Sequence, residues 1–305
     1  MALTKARQAL ALKNLIMLPI ATVAWLVPLS LAALADDPSA SPSPSPSPSL
    51  ASGAATNVPT TQEQDDAALV DPLTPNRWYS FEDEAMQSVS GPSNQLDLQA
   101  QIPLAAAPPI ANFIASGHAL SLIKLKVPIV LGAPSNTGIE AATGTGDVTT
   151  TWVAGFGTAW SRWAGGATFK FPTGSGSLGS GKWSAGPALG YTHETGLWTF
   201  GAYSQSFFSY AGSGSRSPVA QSQLQPSISV ALPNGWSLGT SEMKFTYDYD
   251  EGSFVSVPVG IRVAKQFKSG SRRLNAYFEA EKNLKTSAGT TWTLRLGAKL
   301  VLLRT

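Results

Sequence analysis

Cysteine is absent from this 305-residue chain, histidine occurs only twice, and only 13% of the residues are charged. The lack of cysteine excludes disulfide bonds, a thiol nucleophile and cysteine-ligated metal sites. His118 and His193 alone make a poor zinc site, and no serine–histidine–acid arrangement is recognisable around His193. We therefore expect no enzyme, no metal and no cofactor.

Long helical patterns are also missing after about residue 96. Residues 94–303 instead form stretches of about ten residues in which apolar and polar side chains alternate, separated by Gly, Ser and Asn. In the last stretch, 292–302, one parity reads Trp, Leu, Leu, Ala, Leu, Leu and the other Thr, Arg, Gly, Lys, Val. Such a period of two predicts β-strands with one apolar and one polar face, in a membrane barrel or a soluble sandwich.

The first 35 residues are predicted to be a cleaved export signal. Lys5, Arg7 and Lys13 precede an apolar run at 15–34, and Ala33 to Ala35 form an A-x-A cleavage site. An uncleaved membrane helix is the alternative, because the run is close to the roughly 20 residues that span a bilayer. Removal of residues 1–35 leaves 18 basic and 19 acidic residues, a charge of −1, which does not favour a nucleic-acid partner.

Residues 36–75 are predicted to be a disordered periplasmic linker. A Ser-Pro alternation at 39–49 favours an extended, solvated chain, and the residues that follow include few large apolar side chains. The remaining segment, 76–305, is expected to be one domain.

Eleven strands are recognisable in this domain, at 94–103, 118–130, 146–157, 161–172, 182–193, 196–208, 222–232, 235–249, 254–266, 272–283 and 290–303. Bacterial single-chain barrels have even strand numbers, so we predict about 12 antiparallel strands, with the missing one near 76–89 or 110–114. Short turns such as Asn234-Gly235 alternate with longer Gly/Ser-rich loops, as in a barrel with a periplasmic and an outer end.

Tryptophan placement favours the barrel over the sandwich. Seven of the nine tryptophans lie near predicted strand ends, where amphipathic rings would meet the membrane interface. They are Trp152, Trp160, Trp163, Trp183, Trp198, Trp236 and Trp292.

The polar parity of the strands defines a candidate lumen. Its predicted lining residues are Lys124, Lys126, Arg162, Lys170, Lys182, Arg262, Arg295, Lys299 and Glu279, joined by Lys244, Arg273, Asp97, Glu242, Asp248 and Glu281. Ten basic and five acidic residues would give this lumen a charge of +5, which favours anions. Phe207, Tyr203 and Phe254 are expected to point inward and would favour plugging of the barrel.

A glycine-rich stretch at 176–183 is close to a phosphate-binding loop. Trp183 occupies the position of the required hydroxyl residue, and a strand rather than a helix follows. We therefore predict an ordinary flexible loop.

Local strings in the strands resemble a family of Gram-negative outer-membrane proteins linked to transport in the MetA pathway of phenol degradation. The most specific are Phe171-Pro172-Thr173 and, within the string 178–187, the residues Gly-Lys-Trp-Ser-Ala-Gly-Pro at 181–187. Others lie at 98–103, 126–130, 144–148, 205–209, 225–226, 235–236, 257–260 and 292–295. This chain departs from the expected pattern at Ala100, where proline is expected, and at its C-terminus, which lacks the aromatic residue often recognised by the assembly machinery.

The resemblance implies a transmembrane β-barrel in the cell outer membrane that acts as a passive, porin-like transporter of small molecules, including aromatic or hydrophobic ones. Its expected partners are outer-membrane lipid, the barrel-assembly machinery and a small-molecule solute. Two alternatives stay open: a non-conducting structural or interaction barrel, and an exported soluble β-domain that binds a ligand. Prolines at 128, 172, 187, 226 and 258 predict bulges in the strands.

Overall fold

The structure, a computed structural model, describes residues 76–88, 91–104, 120–133, 142–157, 161–287 and 289–302. The predicted export signal and linker lie outside these residues, as do His118, Trp160 and the alternative strand position at 110–114. No helix in the described part is long and apolar enough to cross a membrane.

Fourteen β-segments and one 3₁₀ turn (Pro233–Gly235) make up the described part of the domain. The β-segments are β1 (Arg77–Ser88), β2 (Gly91–Pro103), β3 (Leu120–Ala133), β4 (Ala142–Thr145), β5 (Thr149–Gly157), β6 (Ser161–Lys170), β7 (Lys182–Thr195), β8 (Trp198–Gly212), β9 (Ala220–Leu232), β10 (Trp236–Thr240), β11 (Phe245–Asp248), β12 (Ser253–Ser269), β13 (Arg272–Thr286) and β14 (Thr290–Leu302).

The segments form a closed antiparallel barrel of twelve strands. β4 and β5 both pair with β3, and β10 and β11 both lie between β9 and β12, so each pair acts as one interrupted strand. The sheet closes because β1 pairs with β14 while β13 joins β14 to β12. The predicted all-β antiparallel barrel of about 12 strands is confirmed, and β1 is the strand that the sequence left near 76–89.

Prolines lie beside both interruptions. Pro128 is on β3 where the partner strand breaks between β4 and β5, and Pro258 is on β12 at a register shift beside β11. Proline cannot donate to the ladder, so the neighbouring strand loses regular pairing at these places. The predicted irregularities are therefore present at these two prolines.

The connections differ at the two ends of the barrel. Turns at 196–197, 233–235 and 270–271 lie at the end where β1 begins and β14 ends, whereas those at 171–181, 213–219 and 249–252 lie at the other. The long connection at 104–119 is the exception at the first end, and the short connections between β1 and β2 and between β13 and β14 are exceptions at the other. Short turns on one side and longer loops on the other are typical of outer-membrane barrels.

The outward face is apolar. Leu189 (62% exposed), Ile261 (60%) and Leu224 (43%) represent a large set of exposed hydrophobic side chains on the barrel wall. Trp163, Trp183, Trp198, Trp236 and Trp292 are exposed at or near strand ends, as an aromatic girdle requires. Such a surface is stable against lipid and not against water, so the predicted outer-membrane location is confirmed and the exterior contacts membrane lipid.

Candidate functional site

The barrel encloses a cavity of about 560 Å³. Eight of the predicted lumen residues line it, namely Lys124, Lys126, Lys170, Arg262, Glu279, Lys299, Glu242 and Lys244. Arg295 lies beside it and contacts Glu279, at 3.2 Å. Arg162 and Lys182 do not line the cavity: Arg162 pairs with Glu194 near the short-turn end, and Lys182 begins β7 near the other.

Arg295 organises the acidic side of the interior. Its guanidinium donates to Glu84 at 2.9 Å, Glu281 at 3.1 Å and Glu279 at 3.2 Å, and its Nε lies 3.9 Å from Glu82. We call these five residues the Arg295 network. All five are at least nine-tenths buried, so the carboxylates depend on this guanidinium, and Glu279 also on Arg262 at 3.3 Å, for their charge balance.

Residues 241–244, which separate β10 from β11 in the interrupted strand, fold into the lumen. The Ser241 hydroxyl donates to Glu281 at 3.0 Å, the Glu242 backbone N–H donates to Glu279 at 3.1 Å, and Glu242 pairs with Lys244 at 2.8 Å. The excursion therefore rests on the Arg295 network and narrows the lumen at its level.

Three lysines form another part of the cavity wall, which we call the lysine wall: Lys124 and Lys126 on β3, and Lys170 on β6. The register places Lys126 and Lys170 on either side of Thr149. Lys126 pairs with Asp97, whereas the other two ammonium groups lie over inward aromatic rings of β8.

Four acidic residues that the sequence did not assign to the lumen also face it: Glu82 and Glu84 on β1, Asp147 before β5, and Glu194 on β7. Together with the five predicted acids they make nine carboxylates against ten predicted basic residues. The lumen is thus far closer to neutral than the predicted +5. The sequence missed Glu82 and Glu84 because β1 does not show clear alternation, with Asp83 between them.

Asp147 holds the glycine-rich loop at 171–181. Its carboxylate accepts hydrogen bonds from the Gly174 N–H at 3.1 Å, the Ser180 N–H at 2.7 Å and the Ser180 hydroxyl. The loop thus directs its amides at its own protein's carboxylate, and Leu178 and Ser180 reach the cavity wall. This arrangement is unlike a phosphate-binding loop, whose amides face the ligand.

The aromatic predictions are only partly right. Tyr203 and Phe207 point inward and are buried, but Phe254 is 46% exposed on the outer face, where it meets Tyr247 edge-on. Register explains the error: β12 shifts by one residue near Ser256, and such a slip moves a side chain to the other face. His193 is likewise on the outward parity of β7, away from the cavity.

Carboxylate oxygens of Glu82, Glu84 and Asp97 approach within 4.8 Å of one another. Arg295 and Lys126 already pair with this group, so the cluster is a protein ion-pair network in the described structure.

The chain matches no family model and no curated protein sequence. Its fold is similar to that of the COG4313 outer membrane channel from Pseudomonas putida F1, with a TM-score of 0.52, 14% identity and coverage of 74% of this chain and 93% of that one. The KdgM porin aligns with a TM-score of 0.44 and 11% identity, over 73% of this chain and 97% of that one. The resemblance to the phenol-degradation family stays a prediction.

One expectation needs correction. Outer membrane phospholipase A from Escherichia coli, an enzyme, also aligns, with a TM-score of 0.43, 10% identity and coverage of 74% and 96% of the two chains. The prediction that this chain is no enzyme is therefore wrong as an exclusion, because barrels of this kind include an enzyme. What the likeness to the Pseudomonas putida channel establishes is the fold: this chain is an outer-membrane β-barrel.

Proposed function

We propose that this barrel is a passive outer-membrane channel for small solutes. The observation that supports it is the 560 Å³ cavity that the inward side chains leave open, lined by charged and amide groups together with apolar ones such as Leu125 and Leu178. A wet, polar lumen lets a solute exchange its hydration for protein contacts as it passes. The same lining favours a polar solute over the aromatic or hydrophobic one that the family resemblance implies.

A non-conducting barrel is the second candidate. It is favoured by the Arg295 network and the 241–244 excursion, which fill one side of the interior with hydrogen bonds, and by the inward rings of Tyr203 and Phe207. In this case the interior would serve stability alone.

In this proposal, the lengths of the turns set the orientation of the barrel in the outer membrane. The short-turn end, where β1 begins, would face the periplasm. The linker at 36–75 would then lie in the periplasm, after cleavage of residues 1–35 and insertion by the barrel-assembly machinery. Mass spectrometry of the purified protein from outer membranes should show an N-terminus at Asp36.

Single-channel recording in planar lipid bilayers tests the proposal. The purified barrel, first shown to be folded by heat-modifiable migration on SDS gels, should give stepwise currents. Lys170→Glu should shift the reversal potential in a salt gradient toward cation preference, because it inverts a charge on the cavity wall. Lys282→Glu is the matched control, since Lys282 lies over Trp292 on the outer face.

Folded protein without current would favour the non-conducting barrel. Current whose selectivity is the same in Lys170→Glu and in the unaltered protein would show that ions do not pass through this cavity.

A further inference from the structure

The two sides of the cavity differ in how their charges are satisfied. On the acidic side, Glu84, Glu279 and Glu281 accept hydrogen bonds from Arg295, and Glu82 accepts one from the Tyr277 hydroxyl at 2.7 Å. These carboxylates thus have cations or donors within the protein. The acidic side therefore offers little to an incoming cation.

Within the lysine wall, Lys170 is different. The Lys170 ammonium lies 4.3 Å from the centre of the Phe207 ring, and within the described part of the chain it forms no ion pair or hydrogen bond. Lys124 lies 5.1 Å from the centre of the Tyr203 ring. A ring face stabilises an ammonium by its quadrupole and accepts no conventional hydrogen bond from it, so Lys170 keeps its three donors for an anion.

Five glutamines accompany these lysines around the cavity: Gln95, Gln99, Gln205, Gln223 and Gln225. Each amide both donates and accepts, as Gln205 shows by donating to the Gln223 carbonyl at 2.9 Å. A hydroxyl group has the same dual character, so a hydroxylated solute can replace the water on these amides. An apolar solute would displace water from the amide groups that have no protein partner, which costs free energy.

We infer that the lysine wall and the cavity glutamines form a binding subsite for a small hydroxylated carboxylate, the chemical class of the sugar acids. The carboxylate would take the Lys170 donors, and the hydroxyl groups would bond to the glutamine amides. The cavity volume of about 560 Å³ lies within the roughly 300–1,000 Å³ typical of small-molecule sites. The inference rests on the proposed channel, whose solute class it names.

Isothermal titration of gluconate into the detergent-solubilised barrel tests the subsite without requiring conduction. Glucose, which has hydroxyl groups and no charge, and benzoate, which has a carboxylate and no hydroxyl group, are the comparison ligands. We expect saturable gluconate binding that is at least tenfold tighter than that of either. Lys170→Gln should weaken it roughly ten- to hundredfold, the equivalent of one charge-assisted hydrogen bond, and Lys282→Gln should leave it unchanged.

Equal binding of glucose would refute the role of the lysines, and equal binding of benzoate would refute the role of the glutamines. Absence of gluconate binding by a barrel that conducts ions would overturn the subsite and leave the channel standing. Gluconate binding by a folded barrel that carries no current would support the subsite and refute the channel. Full affinity in Lys170→Gln would place any bound gluconate elsewhere.

Discussion

Replacement of Arg295 by glutamine should destabilise the barrel far more than the same replacement of the exposed Arg272. Arg295 is 4% exposed, and it donates to Glu84, Glu279 and Glu281 at 2.9–3.2 Å. Glutamine is shorter and neutral, so these carboxylates would lose the guanidinium that they share. Breaking a buried ion pair in this way costs about 3–5 kcal/mol.

Two features of the structure indicate where in this range the free-energy cost of Arg295→Gln should lie. Glu279 keeps a second cation, because Arg262 lies 3.3 Å away, and this favours the lower half of the range. Glu84 and Glu281 have no second pair among the described ion pairs, which favours the upper half. We expect the folded fraction, followed by heat-modifiable gel migration in phospholipid vesicles, to fall at clearly lower urea concentration.

Arg272→Gln is the matched control, since Arg272 is exposed at the start of β13. Its free energy of unfolding should change by no more than about 0.5 kcal/mol. The double variant Arg295→Gln/Glu281→Gln should be more stable than Arg295→Gln alone, because it also removes one of the buried carboxylates left without a cation. A single variant as stable as the control would refute the view that Arg295 holds the network together.

Ile261→Lys should cost about 2–4 kcal/mol of folding free energy in vesicles, because it puts a charge on the lipid face, and unchanged urea unfolding would contradict the assigned exterior. Gly297→Ala should lower the free energy of unfolding by about 1–3 kcal/mol, since a Cβ there would lie 2.4 Å from the Tyr277 ring. Because Tyr277→Leu removes that ring, the double variant should lose less than the sum of the two single losses. Strict additivity in urea unfolding would argue against the clash. Asp147→Ala should expose the 171–181 loop to subtilisin cleavage, mapped by mass spectrometry, because the loop loses its hydrogen bonds to that carboxylate. Asp248→Ala, which removes hydrogen bonds to the 249–252 turn instead, should leave the 171–181 loop uncut. Equal cleavage of the loop in both variants would show that Asp147 does not hold it in place.

Local pattern was sufficient for most of the fold. A period of two, with Gly and Asn at the turns, predicts strands and which side chains share a face, and β14 shows the predicted parity, with Thr293, Arg295 and Val301 buried inside. For β1 the sequence offered 76–89 only as one of two positions for the missing strand. The three consecutive acids Glu82, Asp83 and Glu84 interrupt the alternation of apolar and polar residues there. Pro258 signalled an irregularity near Ser256, but the sequence did not show that the shift turns Phe254 outward.

By itself, the sequence determined the chemistry of each face, because successive strand side chains point to opposite sides whatever their partners are. It therefore predicted an apolar exterior and cations such as Arg295 and Lys170 on the inner side. Only the tertiary structure decided which of these charges are satisfied. Glu84 reaches Arg295 across 211 positions of the sequence because barrel closure pairs β1 with β14. Closure thus converts a predicted basic excess into a nearly neutral interior, with Lys170 still facing the cavity.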